Sequence, residues 1–133
     1  MASSLFKTTF ITRMHDIDAA GVMFFGRIFY YAHDAFEALL NHHQQSINFI
    51  LNTDVILPIS HAEADFKAAI YLNETIDIEI LVQDIREKEF SLSYHFIDSS
   101  GTIRATALTR HVCLENQTRS QQALPDTITR ILT

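Results

Sequence analysis

The chain of 133 residues contains one cysteine, two prolines, three glycines and no tryptophan. Because the single cysteine, Cys113, cannot form an internal disulfide, a reducing compartment such as the cytoplasm is expected. The scarcity of glycine and proline predicts regular helices and strands joined by short connections. No apolar run reaches the roughly 20 residues of a membrane span or has the form of a signal peptide, so no membrane partner is expected.

Positive charge is also scarce, because ten Lys and Arg stand against sixteen Asp and Glu, which gives a net charge of -6. This balance argues against nucleic acid as a partner, since nucleic acid requires a wide basic surface. A local basic patch remains compatible with a phosphorylated small molecule. A hydrophobic fraction of 47% is typical of a globular protein. The length predicts a single domain over residues 1–133.

The spacing of apolar residues predicts the order of helices and strands. Apolar residues recur at helical spacing from about Phe24 to Leu40, which predicts a long helix that other elements surround. Strands are predicted before the helix at residues 5–13 and, where the period changes to two, at 62–68, 76–82, 90–96 and 103–114. Shorter helices are predicted at 46–51 and 125–132. This order predicts an α+β domain with an antiparallel sheet.

Two carboxylates, Asp16 and Asp18, lie directly before the long helix together with Gly21 and Gly26. A helix start has unpaired N–H groups and the positive end of the helix dipole. A carboxylate beside such donors fits acyl transfer, because the donors can stabilise a developing oxyanion. The alternative is that both aspartates accept N–H bonds within a turn, which is common. The residues alone leave both interpretations open.

The pattern Asp-x-Asp-x-x-Gly-Val-x-Phe-Phe at residues 16–25 resembles the 4-hydroxybenzoyl-CoA thioesterase branch of the hotdog-fold superfamily. The order of elements resembles that family over roughly residues 4–115. The resemblance implies a hotdog fold, in which an antiparallel sheet wraps around one long central helix. It also implies a thioesterase that needs no cofactor, since water and the thioester are the reactants.

The resemblance assigns roles to the loop before the helix. The catalytic carboxylate of the family falls on Asp18, while Asp16 is expected to hold the loop together through hydrogen bonds. Gly21 supplies the turn. The backbone N–H of Phe25 or of Gly26 is expected to polarise the thioester carbonyl.

Residues 57–66 and 110–113 resemble the branch of the family that acts on 1,4-dihydroxy-2-naphthoyl-CoA. The implied substrate is an aromatic acyl-CoA, and the implied assembly is a homotetramer of two dimers with sites at the dimer interface. Two alternatives remain open. One is a broad-specificity acyl-CoA or acyl-carrier-protein thioesterase, and the other is a non-catalytic hotdog protein that binds an acyl ligand.

An aromatic acyl group requires a flat apolar slot with a few polar partners. Phe24 and Phe29, together with Phe25, lie near the start of the predicted helix and are expected to form part of that slot. His61, at the start of a predicted strand, is the candidate partner for a ring hydroxyl. A purely structural histidine is an equal alternative at this position.

The phosphates of coenzyme A are expected to meet basic residues, as they do in related thioesterases. Arg86 and Lys88 occupy a predicted strand connection, where Glu87 and Glu89 interrupt the positive charge. A solvated turn is the alternative for this segment. Lys67, or a neighbouring subunit, is expected to supply part of the phosphate contact.

No metal site is expected. His33, Asp34 and Glu37 fall at helical spacing, and His111 and Cys113 share one strand face, but neither set has the ligand count of a zinc site. Cys113 as a nucleophile with His111 as its base is disfavoured, since buried strand cysteines are usually inert.

Overall fold

The computed structural model describes residues 4–44 and 54–133. Within these ranges the two helices are α1 (Arg27–His42) and α2 (Asp126–Leu132), and a 3-10 turn covers Met14–Asp16. The strands, in chain order, are β1 (Ser4–Ile11), β2 (Val55–Ile56), β3 (Ile59–Phe66), β4 (Thr75–Ile85), β5 (Glu89–Asp98), β6 (Ile103–Val112) and β7 (Leu114–Glu115). The helix predicted at residues 46–51 lies outside the described residues.

Five antiparallel strands form one sheet in the order β1-β4-β5-β6-β3, while β2 and β7 pair separately. The alternation predicted for β4 is observed, with Ile76, Ile78 and Ile80 buried on the face that packs against α1. On the edge strand β3, the small side chain of Ala64 is partly buried and packs against the same core. The predicted α+β hotdog architecture, an antiparallel sheet with one long helix against it, is thereby confirmed.

Helix α1 begins at Arg27, three residues later than the apolar spacing predicts. The reason is a turn before it, in which the Arg27 N–H donates to the Phe24 carbonyl at 2.9 Å. Residues Ile28, Ala32, Ala35 and Leu39 then form the fully buried stripe of the helix. As a consequence Phe24 precedes the helix and remains partly exposed beside the loop that carries the two aspartates.

A chain of polar side chains crosses the core between the sheet and α1. The Tyr94 hydroxyl lies 2.8 Å from Thr109 Oγ1, which lies 2.9 Å from His111 Nε2. The imidazole of His111 stacks on Phe90 at a ring distance of 4.8 Å and contacts Phe36 at 4.7 Å. Burial lowers the pKa of His111 to about 4, because the imidazolium form would lose its hydration there.

Cys113 is fully buried just after β6, and its thiol lies 3.6 Å from the Ala123 carbonyl. Burial raises the pKa of the Cys113 thiol, which disfavours the nucleophilic thiolate. His111 is engaged with Thr109 and aromatic rings. The pair therefore lacks the setting of a nucleophile and its base. No helix among the described residues is long and apolar enough to cross a membrane.

We expect His111 to make the protein less stable in mild acid. Its pKa is about 4 in the folded chain and about 6.5 when unfolded, so stability is unaffected above pH 6.5 and falls as the pH drops from 6.5 to 4. The shift corresponds to about 3 kcal/mol of unfolding free energy. Urea titrations at several pH values and one protein concentration measure this loss.

The matched variants are His111→Phe, which keeps a ring between Phe36 and Phe90 but cannot titrate, and His61→Gln at an exposed position. His111→Phe should flatten the loss of stability between pH 6.5 and 4, whatever its stability at neutral pH. His61→Gln should retain the parent profile. An unchanged acid slope in His111→Phe would contradict the assignment.

Candidate active site

Asp16 is a buried carboxylate that attaches the loop to helix α1. Its Oδ2 accepts the Arg13 N–H at 2.8 Å and the Tyr31 hydroxyl at 2.5 Å, and its carbonyl accepts the Phe24 N–H at 2.8 Å. Burial and the bond to Asp16 raise the pKa of Tyr31, so the phenol remains a donor. Asp16 thus joins both ends of the loop to the first turns of the helix.

The second oxygen of Asp16 faces two basic side chains without a hydrogen bond from any described residue. Arg27 Nε and His15 Nε2 each lie 3.5 Å from Asp16 Oδ1. Arg27 Nη2 also donates to the His15 carbonyl at 3.2 Å, and its guanidinium carbon lies 4.8 Å from the centre of the Tyr30 ring. The Asp16 carboxylate therefore partly balances the positive charge of Arg27. Contacts with Asp16, the His15 carbonyl and the Tyr30 ring fix the Arg27 side chain beside the loop.

Asp18 has the opposite environment, because its side chain is exposed. Its N–H donates to the Val22 carbonyl at 2.9 Å, its carbonyl accepts the Gly21 N–H at 3.0 Å, and Oδ1 accepts the Ala20 N–H at 2.8 Å. Gly21 adopts a φ of 81°, in the left-handed region that favours glycine. Within residues 4–44 and 54–133, Asp18 Oδ2 accepts no hydrogen bond, so this oxygen is available to a ligand or to water.

The amides just before α1 are free donors. The N–H groups of Phe25 and Gly26 donate to no acceptor in the described part of the chain, as is usual at a helix start. Gly26 also permits a close contact, since a Cβ there would lie 2.8 Å from the Phe24 ring. Asp18 and Phe25 line the same cavity, and Gly26 follows Phe25 directly in the chain.

Asp18 lies between two open cavities. The Lys67 cavity, as we name it, has a volume of about 320 Å³ and mostly apolar walls formed by Asp18, Val22, Met23, Phe25, Phe66, Lys67 and residues 68–70. The Arg27 cavity has a volume of about 300 Å³ and is lined by His15, Ile17, Asp18, Phe24, Arg27 and Tyr30. Asp18 is the residue that the linings of these two cavities share.

Arg104 holds the segment that forms one wall of the Lys67 cavity. Its guanidinium donates to both carboxylate oxygens of Glu74 at 3.0 and 2.8 Å, and to Asp98 Oδ2 at 2.7 Å. It also donates to the Ala69 carbonyl at 2.5 Å. The hydrogen bond from Arg104 lowers the pKa of Glu74, which keeps the pair charged.

Three of the residues predicted to contact substrate lie beside Asp18, namely Phe24, Phe25 and Lys67. Phe29 does not, because it packs against the hydrophobic core and lines neither cavity. Arg27 and Tyr30 were missed in the sequence, although their position at the start of the helix, one turn apart, could have indicated a shared surface.

His61 lies on the face of the sheet opposite α1. In the register of β3 and β6, His61 lies opposite Arg110, which follows the buried Thr109 in the chain. The Nε2 of His61 lies 2.9 Å from Glu63 Oε1. It lines neither cavity beside Asp18. Within one chain, the structure does not bring the predicted hydroxyl partner to the site.

Arg86 and Lys88 lie far from Asp18 in the same chain. The Asp18 loop bonds to the segment just before β4, through Met23 N–H and the Ile70 carbonyl at 2.7 Å, whereas Arg86 follows the last residue of that strand. An extended strand of 11 residues spans about 30 Å. Arg86 is also paired with Asp84, with 2.7 Å between Nε and Oδ2. Within one chain, therefore, the structure does not bring these two cations to Asp18.

Comparison with known proteins extends the likeness over most of the chain. The sequence model of the Thioesterase-like superfamily matches residues 12–132. A protein of Nostoc punctiforme named 1,4-dihydroxy-2-naphthoyl-CoA hydrolase is 36% identical over 123 residues, which cover 90% of this chain and 81% of that protein. A protein of Gloeothece citriformis with the same name is 36% identical over 119 residues, which cover 86% of this chain and 82% of that one.

A solved structure shows the same architecture. The crystal structure of a 1,4-dihydroxy-2-naphthoyl-CoA thioesterase from Synechocystis superposes with a TM-score of 0.90 at 26% identity, covering 96% of this chain and 94% of that one. The match of the superfamily model and the two relatives at 36% identity agree with this superposition. The chain belongs to the thioesterase-like superfamily of hotdog proteins.

Proposed function

We propose that this protein hydrolyses an aromatic acyl-CoA thioester, 1,4-dihydroxy-2-naphthoyl-CoA, in the cytoplasm as a step of naphthoquinone (phylloquinone or menaquinone) biosynthesis. The observation that carries the reaction is the free carboxylate oxygen of Asp18, which shares a cavity lining with Phe25. The amides of Phe25 and of the next residue, Gly26, are unpaired among the described residues. The names of the relatives from Nostoc, Gloeothece and Synechocystis support the acyl group.

The chemistry requires a base or nucleophile and an oxyanion donor. The amides of Phe25 and Gly26 donate to the thioester oxygen as it gains negative charge. Asp18 either removes a proton from the attacking water, or attacks the carbonyl carbon itself to form a mixed anhydride that water then cleaves. In both routes the C–S bond breaks and the coenzyme A thiolate takes a proton. No cofactor takes part in either route.

We further propose a homotetramer built from two dimers, with each site at a dimer interface. Among residues 4–44 and 54–133, the edge strand β3 pairs only with β6, and its apolar Ile59 and Phe66 are 42% and 50% exposed. An exposed strand of this kind is a template for pairing with a second copy. The outward-facing residues Ile97 and Leu108 supply apolar surface for the second contact. Pairing of dimers also gives Arg86 and Lys88 a route to a neighbouring site.

The substitution Asp18→Asn should lower turnover of the naphthoyl thioester by at least about two orders of magnitude, because the amide cannot act as a base or nucleophile. Substrate binding should survive, since the side chain keeps its shape and Oδ1 can still accept the Ala20 N–H. Release of free thiol from the CoA thioester measures turnover, and calorimetry measures binding.

Asp16→Asn is the matched control two residues away. It removes the charge beside Arg27 and weakens the bonds to Tyr31 and to the Arg13 N–H, so the melting temperature should fall. Near-normal turnover in Asp18→Asn with loss of turnover in a folded Asp16→Asn would show that the wrong carboxylate has been chosen. A panel with straight-chain thioesters tests the broad-specificity alternative, which equal efficiency across the panel would support.

Light scattering at micromolar concentration should give four times the chain mass of 15.2 kDa. Ile59→Lys should dissociate the assembly, because lysine on an edge strand opposes strand pairing. Leu72→Lys is the control, since Leu72 is 42% exposed like Ile59 but lies in the turn before β4 and not on a strand edge. It should leave the mass unchanged. An active monomer of the unsubstituted protein would refute the proposed assembly.

A further inference from the structure

We infer that the hydroxylated aromatic ring of the substrate occupies the Arg27 cavity and that the pantetheine arm of coenzyme A occupies the Lys67 cavity. Asp18, which lines both, then faces the thioester at their junction. Arg27 and Tyr30 become the residues that select the acyl group, a role that the sequence had suggested for His61. This arrangement rests on the proposed function.

The lining of the Arg27 cavity is partly aromatic. Two aromatic side chains, Phe24 and Tyr30, line it and remain 46% and 66% exposed. Two exposed rings in the lining of a small cavity suit a flat aromatic group, which stacks on ring faces or packs against ring edges. The volume of about 300 Å³ is at the lower end of ligand pockets, so it suits a fused ring and not a long acyl chain.

The guanidinium of Arg27 in that cavity is paired with a carboxylate. Arg27 is bound to the His15 carbonyl at 3.2 Å and lies 3.5 Å from the Asp16 carboxylate, while 29% of its side chain remains exposed. A cation already balanced by a carboxylate has little excess charge for a diphosphate. It still offers N–H donors to a ring hydroxyl or to its phenolate form. His15, whose imidazole is a second polar group, lines the same cavity.

The Lys67 cavity differs from the Arg27 cavity in its cation and in its small side chains. The ammonium of Lys67 forms no ion pair of 4.0 Å or less within the described ranges, so its N–H donors are available to a phosphate. Small side chains at Ala68 and Ala69 allow a narrow chain to approach the backbone of that segment. Arg104 holds the same segment in place through the Ala69 carbonyl. An apolar channel with one unpaired cation suits a pantetheine arm that leads to phosphates.

The experiment measures binding of two probes to the intact oligomer by calorimetry, namely coenzyme A and 1-hydroxy-2-naphthoate. Both should bind together, and saturation with one should change the affinity for the other by less than about threefold, because the cavities are separate. Tyr30→Ala should weaken naphthoate binding about tenfold and leave coenzyme A within about twofold. Lys67→Ala should weaken coenzyme A binding about tenfold and leave naphthoate binding within about twofold, since it removes a phosphate contact.

Two further variants separate recognition from folding. Tyr30→Phe keeps the ring and should restore naphthoate affinity, whereas His61→Ala should change neither affinity. Arg27→Gln should abolish the preference for 1-hydroxy-2-naphthoate over 2-naphthoate, which lacks the hydroxyl. Thermal unfolding of each variant checks that the fold is retained.

Mutual exclusion of the two probes, or an exchange of the effects of Tyr30→Ala and Lys67→Ala, would overturn the arrangement while leaving the thioesterase function intact. Loss of hydroxyl preference in His61→Ala but not in Arg27→Gln would also overturn it. If neither probe binds and no CoA thioester is hydrolysed, the proposed function fails, and this arrangement fails with it.

Discussion

The burial of the Asp16 carboxylate is the constraint on which the site depends. A buried carboxylate is costly unless donors satisfy it, and here the Tyr31 hydroxyl and the Arg13 N–H supply them at 2.5 and 2.8 Å. One donor comes from helix α1 and the other from the loop, so the two segments are joined through a single side chain. The Asp16 carbonyl adds the bond to Phe24, which starts the turn into the helix.

Two aspartates separated by one residue thus have opposite environments. Asp16 is 1% exposed and supports the loop, whereas Asp18 is exposed and keeps one carboxylate oxygen free of described partners. Because the loop and the helix start are held together, Asp18 lines one cavity with Phe25, whose amide has no acceptor among the described residues. An acyl-transfer site needs this combination of a rigid support and an unoccupied reactive group.

One chain supplies only part of what an acyl-CoA site needs. Asp18, Lys67 and Phe24 meet within a single chain, but Arg86 and Lys88 lie at the far end of β4. The cavities are open, and no strand in the part of the chain that the structure describes pairs with the outer edge of β3. An assembly that covers this edge would enclose the substrate and bring in cations from a second copy.

The sequence by itself determined the α+β class, the strand alternation and the loop with its two aspartates, because these follow from the local spacing of side chains. It placed the start of α1 three residues early, since apolar spacing does not reveal a turn held by the Phe24 carbonyl. Only the tertiary structure decided which side chains surround Asp18. Cross-strand register placed His61 on the outer face, and loop packing brought Arg27 and Tyr30 to the site, because both depend on contacts between residues far apart in the chain.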